Sequence, residues 1–130
     1  MDIKVIASGS SGNAYLIGDG RTRLLLDAGI PFKHIQIGCG FRTSSIDACL
    51  VTHRHGDHAA AIPKLLQRGM TVYSNADVAG LYPGVQSVEA RREFRIGTFR
   101  ILPFEAEHDV PCYGYQITSE ETGEKLVYIT

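Results

Sequence analysis

The stretch Val51-Thr52-His53-Arg54-His55-Gly56-Asp57-His58 decides both the fold and the chemistry expected of this chain. It continues an apolar segment, residues 48–52, that predicts a buried strand. Side chains two apart in an extended chain point the same way, so His53, His55 and Asp57 are expected to converge, with His58 beside them. Imidazole and carboxylate groups suit Zn²⁺ and related divalent ions. The stretch therefore predicts a metal site, because a polar loop without metal leaves this clustering unexplained.

The composition places the chain among ordinary globular domains. Of its 130 residues, 44% are apolar and 21% are charged, which fits one folded domain with a modest core and excludes disorder. The formal net charge of −1 gives no overall electrostatic attraction for nucleic acid. A nucleic-acid partner would therefore have to be held by a local patch or by the metal.

The N-terminus and the cysteines indicate a cytoplasmic protein without a membrane partner. The apolar run in residues 1–8 is far too short for a signal peptide or a membrane span. Cys39, Cys49 and Cys112 are scattered and odd in number, which favours reduced thiols. Cys112 lies near a candidate ligand, but a small buried side chain is its favoured role over that of a thiolate ligand.

The order of predicted elements indicates a mixed fold, α/β or α+β. Helices are predicted to begin at Pro31 and Pro63 and to stop near Gly40 and Gly69, with a further helical turn at residues 76–81. The predicted strands cover residues 3–7, 14–18, 23–27, 48–52, 71–73, 93–96, 98–106, 113–118 and 125–129. No repeat or linker divides the chain.

The small-residue loop Ser8-Gly9-Ser10-Ser11-Gly12-Asn13 has two interpretations. Clustered backbone N–H groups could cradle an anion. However, the loop lacks the glycine spacing of nucleotide-binding motifs and leads into a strand rather than a helix. We therefore predict a tight turn near the site.

Three further residues are candidates for the site. His108 lies where a strand gives way to a loop containing Pro111, and it is predicted to supply a third imidazole ligand. Asp27 ends an apolar strand and is predicted to orient the histidine loop by hydrogen bonding rather than to bind the metal. Asp57 has two open roles, as a metal ligand or as a general base towards water.

With these residues placed, the chain resembles the metallo-β-lactamase fold superfamily. Leu25-Leu26-Asp27 is similar to its first motif, His53-x-His55-x-Asp57-His58 to its second, and His108 to its third. Residues 7–14, and His108-Asp109 followed by Gly114-Tyr115, are similar to the exonuclease-like branch of the YycJ or WalJ type. The resemblance extends over essentially the whole chain.

The resemblance implies a metal-dependent hydrolase. His53, His55 and His108 would hold a first divalent ion, and Asp57 and His58 would contribute to a second. Zinc is the favoured metal, with manganese or iron as alternatives. For this branch the implied substrate is a phosphodiester, single-stranded DNA cut from the 5′ end. Two alternatives stay open: a small thioester or lactone hydrolase, and a catalytically incomplete metal-binding fragment or assembly subunit.

The family fold is a four-layer αββα sandwich of two similar halves, and this chain resembles the first half. The family pattern continues with a metal-bridging aspartate and a later histidine, which lie beyond the part of the pattern that residues 1–130 match. We therefore expect residues 1–130 to form one partial domain that lacks the C-terminal half. Such a half should expose an apolar sheet face, which predicts self-association or a partner that covers it.

Overall fold

Two β-sheets stacked on each other form the centre of the computed structural model, which describes residues 1–130. The helices are α1 (Phe32–Gly38), α2 (Gly56–Ala59), α3 (Ile62–Gln67) and α4 (Ala76–Leu81), with a 3₁₀ turn at Thr43–Ser45. The strands are β1 (Asp2–Ala7), β2 (Ala14–Gly18), β3 (Arg23–Leu26), β4 (Ala48–Leu50), β5 (Val72–Ser74), β6 (Gln86–Ser87), β7 (Phe94–Ile96), β8 (Phe99–Ala106), β9 (Cys112–Ser119) and β10 (Lys125–Tyr128). None of the helices is long and apolar enough to cross a membrane.

The first sheet brings several strand ends to one edge. Its strand order is β1-β2-β3-β4-β5-β6, antiparallel from β1 to β3 and parallel from β3 to β6. Parallel neighbours need crossover connections, and these contain α1, α3 and α4. Leu26 at the end of β3 pairs with Leu50 at the end of β4. The segments after these two strands therefore leave the sheet side by side, where the site forms.

Two apolar cores explain why β3 and β4 are apolar at successive positions. Leu25 packs in the core between the first sheet and the helices, whereas Leu24 and Leu26 pack in the core between the sheets. A strand buried on both faces carries no polar alternation. The second sheet, ordered β10-β9-β8-β7, contributes five side chains to the inner core: Ile96, Phe99, Ile101, Tyr115 and Ile117.

The structure confirms the mixed α/β fold class and corrects three details. The inner face of the first sheet is covered by the second sheet within this chain, so the expectation of an exposed sheet face is wrong. An exposed sheet face therefore no longer supports self-association or a covering partner, and both stay predictions. The strand predicted over residues 48–52 ends at Leu50, and residues 56–59 are helical. β6 and the 3₁₀ turn were not predicted, because both are too short for a periodic pattern.

Asp19, in the turn between β2 and β3, ties the first sheet to the second. Its carboxylate accepts hydrogen bonds from the amides of Arg21 at 3.0 Å and Thr22 at 2.9 Å. It also accepts from the hydroxyls of Thr98 at 2.5 Å, in the turn between β7 and β8, and of Ser119 at 2.6 Å, at the end of β9. Burial alone would raise the pKa of this carboxyl, but the bonds from Ser119, Thr98 and the two amides outweigh it and hold the pKa well below its usual value.

Replacing Asp19 by asparagine is expected to lower the free energy of unfolding by about 2 kcal/mol at neutral pH, because charged hydrogen bonds between the sheets are lost. The difference between the two proteins should be complete above about pH 5 and shrink below about pH 4, where the unfolded carboxyl takes up a proton and the folded one does not. Urea denaturation across this pH range measures it. Asp47→Asn is the control, since this exposed carboxylate accepts one amide hydrogen bond, from Arg23. A pH-independent difference would contradict the assignment.

Candidate metal centre

Three imidazoles converge at the edge where β3 and β4 end. His53 and His55 follow β4, and His108 comes from the loop between β8 and β9. One ligand atom from each of the three lies within 4.8 Å of the other two. The ring centroids of His53 and His108 are 4.3 Å apart. A cluster of this size fits ligands that share one ion.

The third residue of the cluster differs from the one that strand alternation predicts. Asp57 was expected to join His53 and His55, but the cluster is completed by His108. The reason is local: the extended segment stops at His55, which caps α2, so strand alternation does not continue to Asp57. The third imidazole therefore comes from the second sheet and not from the same motif.

Asp57 and His58 form a second group beside the imidazole cluster. Oδ2 of Asp57 lies 3.5 Å from Nε2 of His58. The ring of His58 lies 4.2 Å, centroid to centroid, from that of His53. The two groups that the sequence assigns to separate ions are thus adjacent in space, and their roles as ligands stay predictions.

Asp27 is the buried acceptor behind the histidines. Its carboxylate is inaccessible to solvent and accepts hydrogen bonds from the amide of Thr52 at 2.8 Å, Nδ1 of His58 at 2.8 Å and the hydroxyl of Tyr128 at 2.7 Å. The residue has a left-handed backbone, with φ of 61°, where the chain turns away from β3. These contacts place Asp27 directly behind the histidine loop, and its orienting role stays a prediction.

Burial and charge give two of the histidines opposite pKa shifts. Burial, followed by the neighbouring His58, His108 and His55, lowers the pKa of His53 to about 4. Burial also disfavours the charged form of His58, but the hydrogen bond and negative charge of Asp27 outweigh it and raise the pKa of His58. His53 is thus neutral at pH 7, which is the form in which imidazole binds metals.

The small-residue loop turns tightly beside the site, as predicted, with the amide of Gly12 bonded to the carbonyl of Gly9 at 3.3 Å. Asn13 then joins the loop to the histidine motif. Its amide N–H donates to the carbonyl of Asp57 at 2.8 Å, and its side-chain nitrogen lies 3.3 Å from Nε2 of His58. No local sequence pattern indicates this contact, because the two residues lie 45 positions apart.

Two further groups touch the imidazoles. Asp109 Oδ1 lies 2.5 Å from Nδ1 of His108 and 3.5 Å from Nε2 of His55, a bridge that the sequence analysis did not anticipate. Cys112 Sγ lies 3.7 Å from Nδ1 of His53. Burial raises the pKa of this thiol, which outweighs the opposing hydrogen bond with Thr130. A protonated, buried thiol accords with the predicted packing role.

The donor set fits a divalent ion. Ligand atoms of three imidazoles lie within 4.8 Å of one another, imidazole is a preferred zinc ligand, and one of the three is held neutral. The side chains of His55 and His108 are 37% and 27% exposed, so the cluster is open to solvent on one side. An open side is what distinguishes catalytic from structural zinc sites.

Residues 7–117 match the family model described as the metallo-beta-lactamase superfamily. The exodeoxyribonuclease WalJ of Streptococcus pneumoniae is 36% identical over 75 residues, which cover 55% of this chain and 28% of that relative. The ribonuclease Z of Methanopyrus kandleri is 31% identical over 111 residues, which cover 74% of this chain and 40% of that relative. The chain therefore spans less than half the length of these relatives.

Solved structures show the same fold. YhfI from Bacillus subtilis, a metallo-beta-lactamase fold protein, superposes with a TM-score of 0.76 at 24% identity, covering 96% of this chain and 59% of YhfI. The short form of human tRNase Z superposes with a TM-score of 0.78 at 16% identity, covering 100% of this chain and 68% of that one. The likeness extends over both sheets.

Proposed function

The chain belongs to the metallo-beta-lactamase superfamily, whose model covers residues 7–117, and from this premise we propose that it is a metal-dependent hydrolase that cuts phosphodiesters of single-stranded DNA. The observation that carries the proposal is the cluster of His53, His55 and His108, which lie within 4.8 Å of one another. Clustered imidazoles next to an open groove have no role in packing alone. They are typical of a hydrolytic metal site.

The proposed ligand assignment follows the two groups in the site. His53, His55 and His108 would hold one divalent ion, and Asp57 and His58 would contribute to a second. Zinc is favoured for the imidazole set, and manganese and iron are the alternatives. A divalent ion bound there would lower the pKa of a water molecule towards about 7 and stabilise negative charge on the scissile group.

Asp57 is the residue proposed to move a proton. Its side chain is 33% exposed, so water and substrate reach it, and its Oδ2 lies 3.5 Å from Nε2 of His58. An ionised carboxylate in this position accepts a proton at Oδ when it is not engaged with an ion. The carbonyl of the same residue is fixed by Asn13, which holds the carboxylate at the site.

The groove beside His108 is lined in part by acidic side chains, which limits how it can bind a phosphodiester. It has a volume of about 670 Å³, and the carboxylates along it are those of Asp77, Glu105, Glu107 and Asp109, with no lysine or arginine among the lining residues. Basic side chains therefore do not supply the affinity for phosphate at this groove. We propose that bound metal supplies it, so removal of the ions should abolish substrate binding as well as cleavage. Two relatives named as nucleases support a phosphodiester as the substrate class.

His55→Ala is expected to reduce zinc- or manganese-dependent cleavage of a 5′-labelled single strand to background, because one of three imidazole ligands is removed. The measurement is the rate of product release with each metal and after chelation. His34→Ala is the matched control, since this histidine is exposed on α1. Equal cleavage by the His55 variant would show that a contaminant is responsible and contradict the proposal.

A second candidate function is metal binding without hydrolysis. Three imidazoles alone make an adequate site for one zinc ion, so binding could persist where turnover does not. Metal analysis with about one ion per chain and no hydrolysis of DNA or of a thioester would favour this function. Hydrolysis of the thioester alone would favour the small-molecule hydrolase instead.

A further inference from the structure

Thr52 stands between the buried carboxylate and the histidine cluster. Its hydroxyl lies 3.1 Å from each oxygen of Asp27 and 2.8 Å from Nδ1 of His53. Asp27 and Thr52 have no solvent exposure and His53 has 1%. No water competes for these contacts. The hydroxyl of Thr130 lies farther away, at 3.5 Å and as a donor, so Asp27 and His53 are the two near acceptors for the proton of the Thr52 hydroxyl.

The partners of Asp27 determine where that proton lies. The carboxylate already accepts from an amide, an imidazole and a phenol: Thr52 N, His58 Nδ1 and Tyr128 OH. An ionised carboxylate is an acceptor only. If the hydroxyl of Thr52 donated to His53 instead, its lone pairs would face those of the carboxylate at 3.1 Å. The consistent arrangement has Thr52 donating to Asp27 and accepting from Nδ1–H of His53.

The same carboxylate acts on His58 by direct contact. Nδ1 of His58 and the hydroxyl of Tyr128 both approach Oδ2 of Asp27, at 2.8 and 2.7 Å. Tyr128 ends β10, so it fixes this oxygen from the second sheet. In both histidines Nδ1 then carries the proton, which leaves the lone pair of Nε2 facing the site.

We infer that Thr52 and Tyr128 are positioning residues that act through Asp27, Thr52 by setting the tautomer of His53 and Tyr128 by holding the oxygen that sets the tautomer of His58. One buried carboxylate thereby prepares one imidazole in each of the two proposed ion positions. The inference rests on the proposed metal centre and adds the residues that organise it. Partners of this kind typically change metal affinity by about 10- to 100-fold when removed.

The first test is the tautomeric state of the metal-free chain, measured by ¹⁵N NMR of the imidazoles at mildly alkaline pH. His53 and His58 should both appear as the Nδ1–H form in the unmodified protein. Either histidine in the Nε2–H form would overturn the inference without any variant. The measurement needs neither metal nor substrate.

Thr52→Val and Thr52→Ser separate the hydroxyl from the shape of the side chain. Valine should change the tautomer of His53 but not that of His58, and should weaken the binding of the first Zn²⁺ by about 10- to 100-fold. Thr52→Ser keeps the hydroxyl, so it should keep the His53 tautomer and the affinity for the first Zn²⁺ of the unmodified protein. Cys112→Ala is a control, since its sulfur lies 3.7 Å from the same nitrogen. An unchanged His53 signal in the valine variant, or a changed one in the Cys112 variant, would overturn the role of Thr52.

Tyr128→Phe should have the complementary effect. We expect altered imidazole signals for His58 and weaker binding of a second Zn²⁺, with His53 unchanged. Tyr15→Phe is the matched control, because its ring packs edge-on against Tyr128 at 5.4 Å. Equal effects of the two phenylalanine variants would overturn the role of Tyr128. A chain with the expected tautomers but no hydrolysis would contradict the proposed function alone.

Discussion

Alanine at Gly29 is expected to destabilise the fold by about 3 kcal/mol or more and to abolish binding of the second ion. A Cβ at this position would lie 1.7 Å from the carbonyl oxygen of Asp57, 2.0 Å from its carbonyl carbon and 2.5 Å from the amide nitrogen of His58. These are backbone atoms, so no side-chain rotation relieves the contact. The peptide that joins the two residues of the second group must move.

The surrounding hydrogen bonds explain why this movement reaches the metal centre. The amide of Gly29 donates to the carbonyl of Asn13 at 2.9 Å, and the amide of Ala28 donates to the carbonyl of His58 at 2.8 Å. Asn13 in turn donates to the carbonyl of Asp57 at 2.8 Å. Three segments are thus locked together, and separating one pair displaces the Asp57 and His58 side chains.

Chemical denaturation and Zn²⁺ titration of the Gly29→Ala protein measure the two effects. Gly80→Ala is the control: this glycine lies in α4, and a Cβ there meets no atom within 4 Å. Alanine in a helix is favoured over glycine, so the control should gain up to about 1 kcal/mol. A Gly29 variant with the stability and zinc affinity of the parent chain would refute the close approach.

The strands that carry the site could be predicted because their pattern is local. β3 and β4 are short, mostly apolar runs, and each is followed by a residue of a type found in metal sites, Asp27 after β3 and His53 after β4. Burial on both faces by helices and the second sheet leaves these strands without polar alternation. The metal-ligating residue types then mark the edge of the sheet at which the site forms.

The remaining parts of the site depend on contacts that no local pattern encodes. Asn13 meets His58 from 45 positions away, and Tyr128 meets Asp27 from 101 positions away. The direction of Asp57 could not be predicted either, because a strand period was assumed where Gly56 begins a helical turn. The bridge from Asp109 to His108 and His55 could not be predicted either, because it depends on how the loop between β8 and β9 lies against the histidine motif.

Asparagine at Asp27 is expected to lower the free energy of unfolding by about 3–5 kcal/mol, the usual cost of breaking a buried charged pair. The substitution changes neither volume nor backbone, because asparagine tolerates the left-handed φ of 61°. It turns one acceptor oxygen into a donor amide. That amide faces Thr52 N–H on one side or His58 Nδ1–H and Tyr128 O–H on the other, so at least one buried donor loses its acceptor.

Combining Asp27→Asn with Tyr128→Phe tests this explanation by a double-mutant cycle. With the asparagine amide facing His58 and Tyr128, the phenylalanine removes one donor that has lost its acceptor, so the double variant should be more stable than the sum of the single effects by about 1 kcal/mol or more. Urea denaturation of the four proteins gives this coupling. If the losses of unfolding free energy in the two single variants add within about 0.5 kcal/mol, the two side chains act independently. Binding of the second Zn²⁺ should be weakened by about 10- to 100-fold in both Asp27 variants, because restoring stability does not restore the carboxylate that orients His58.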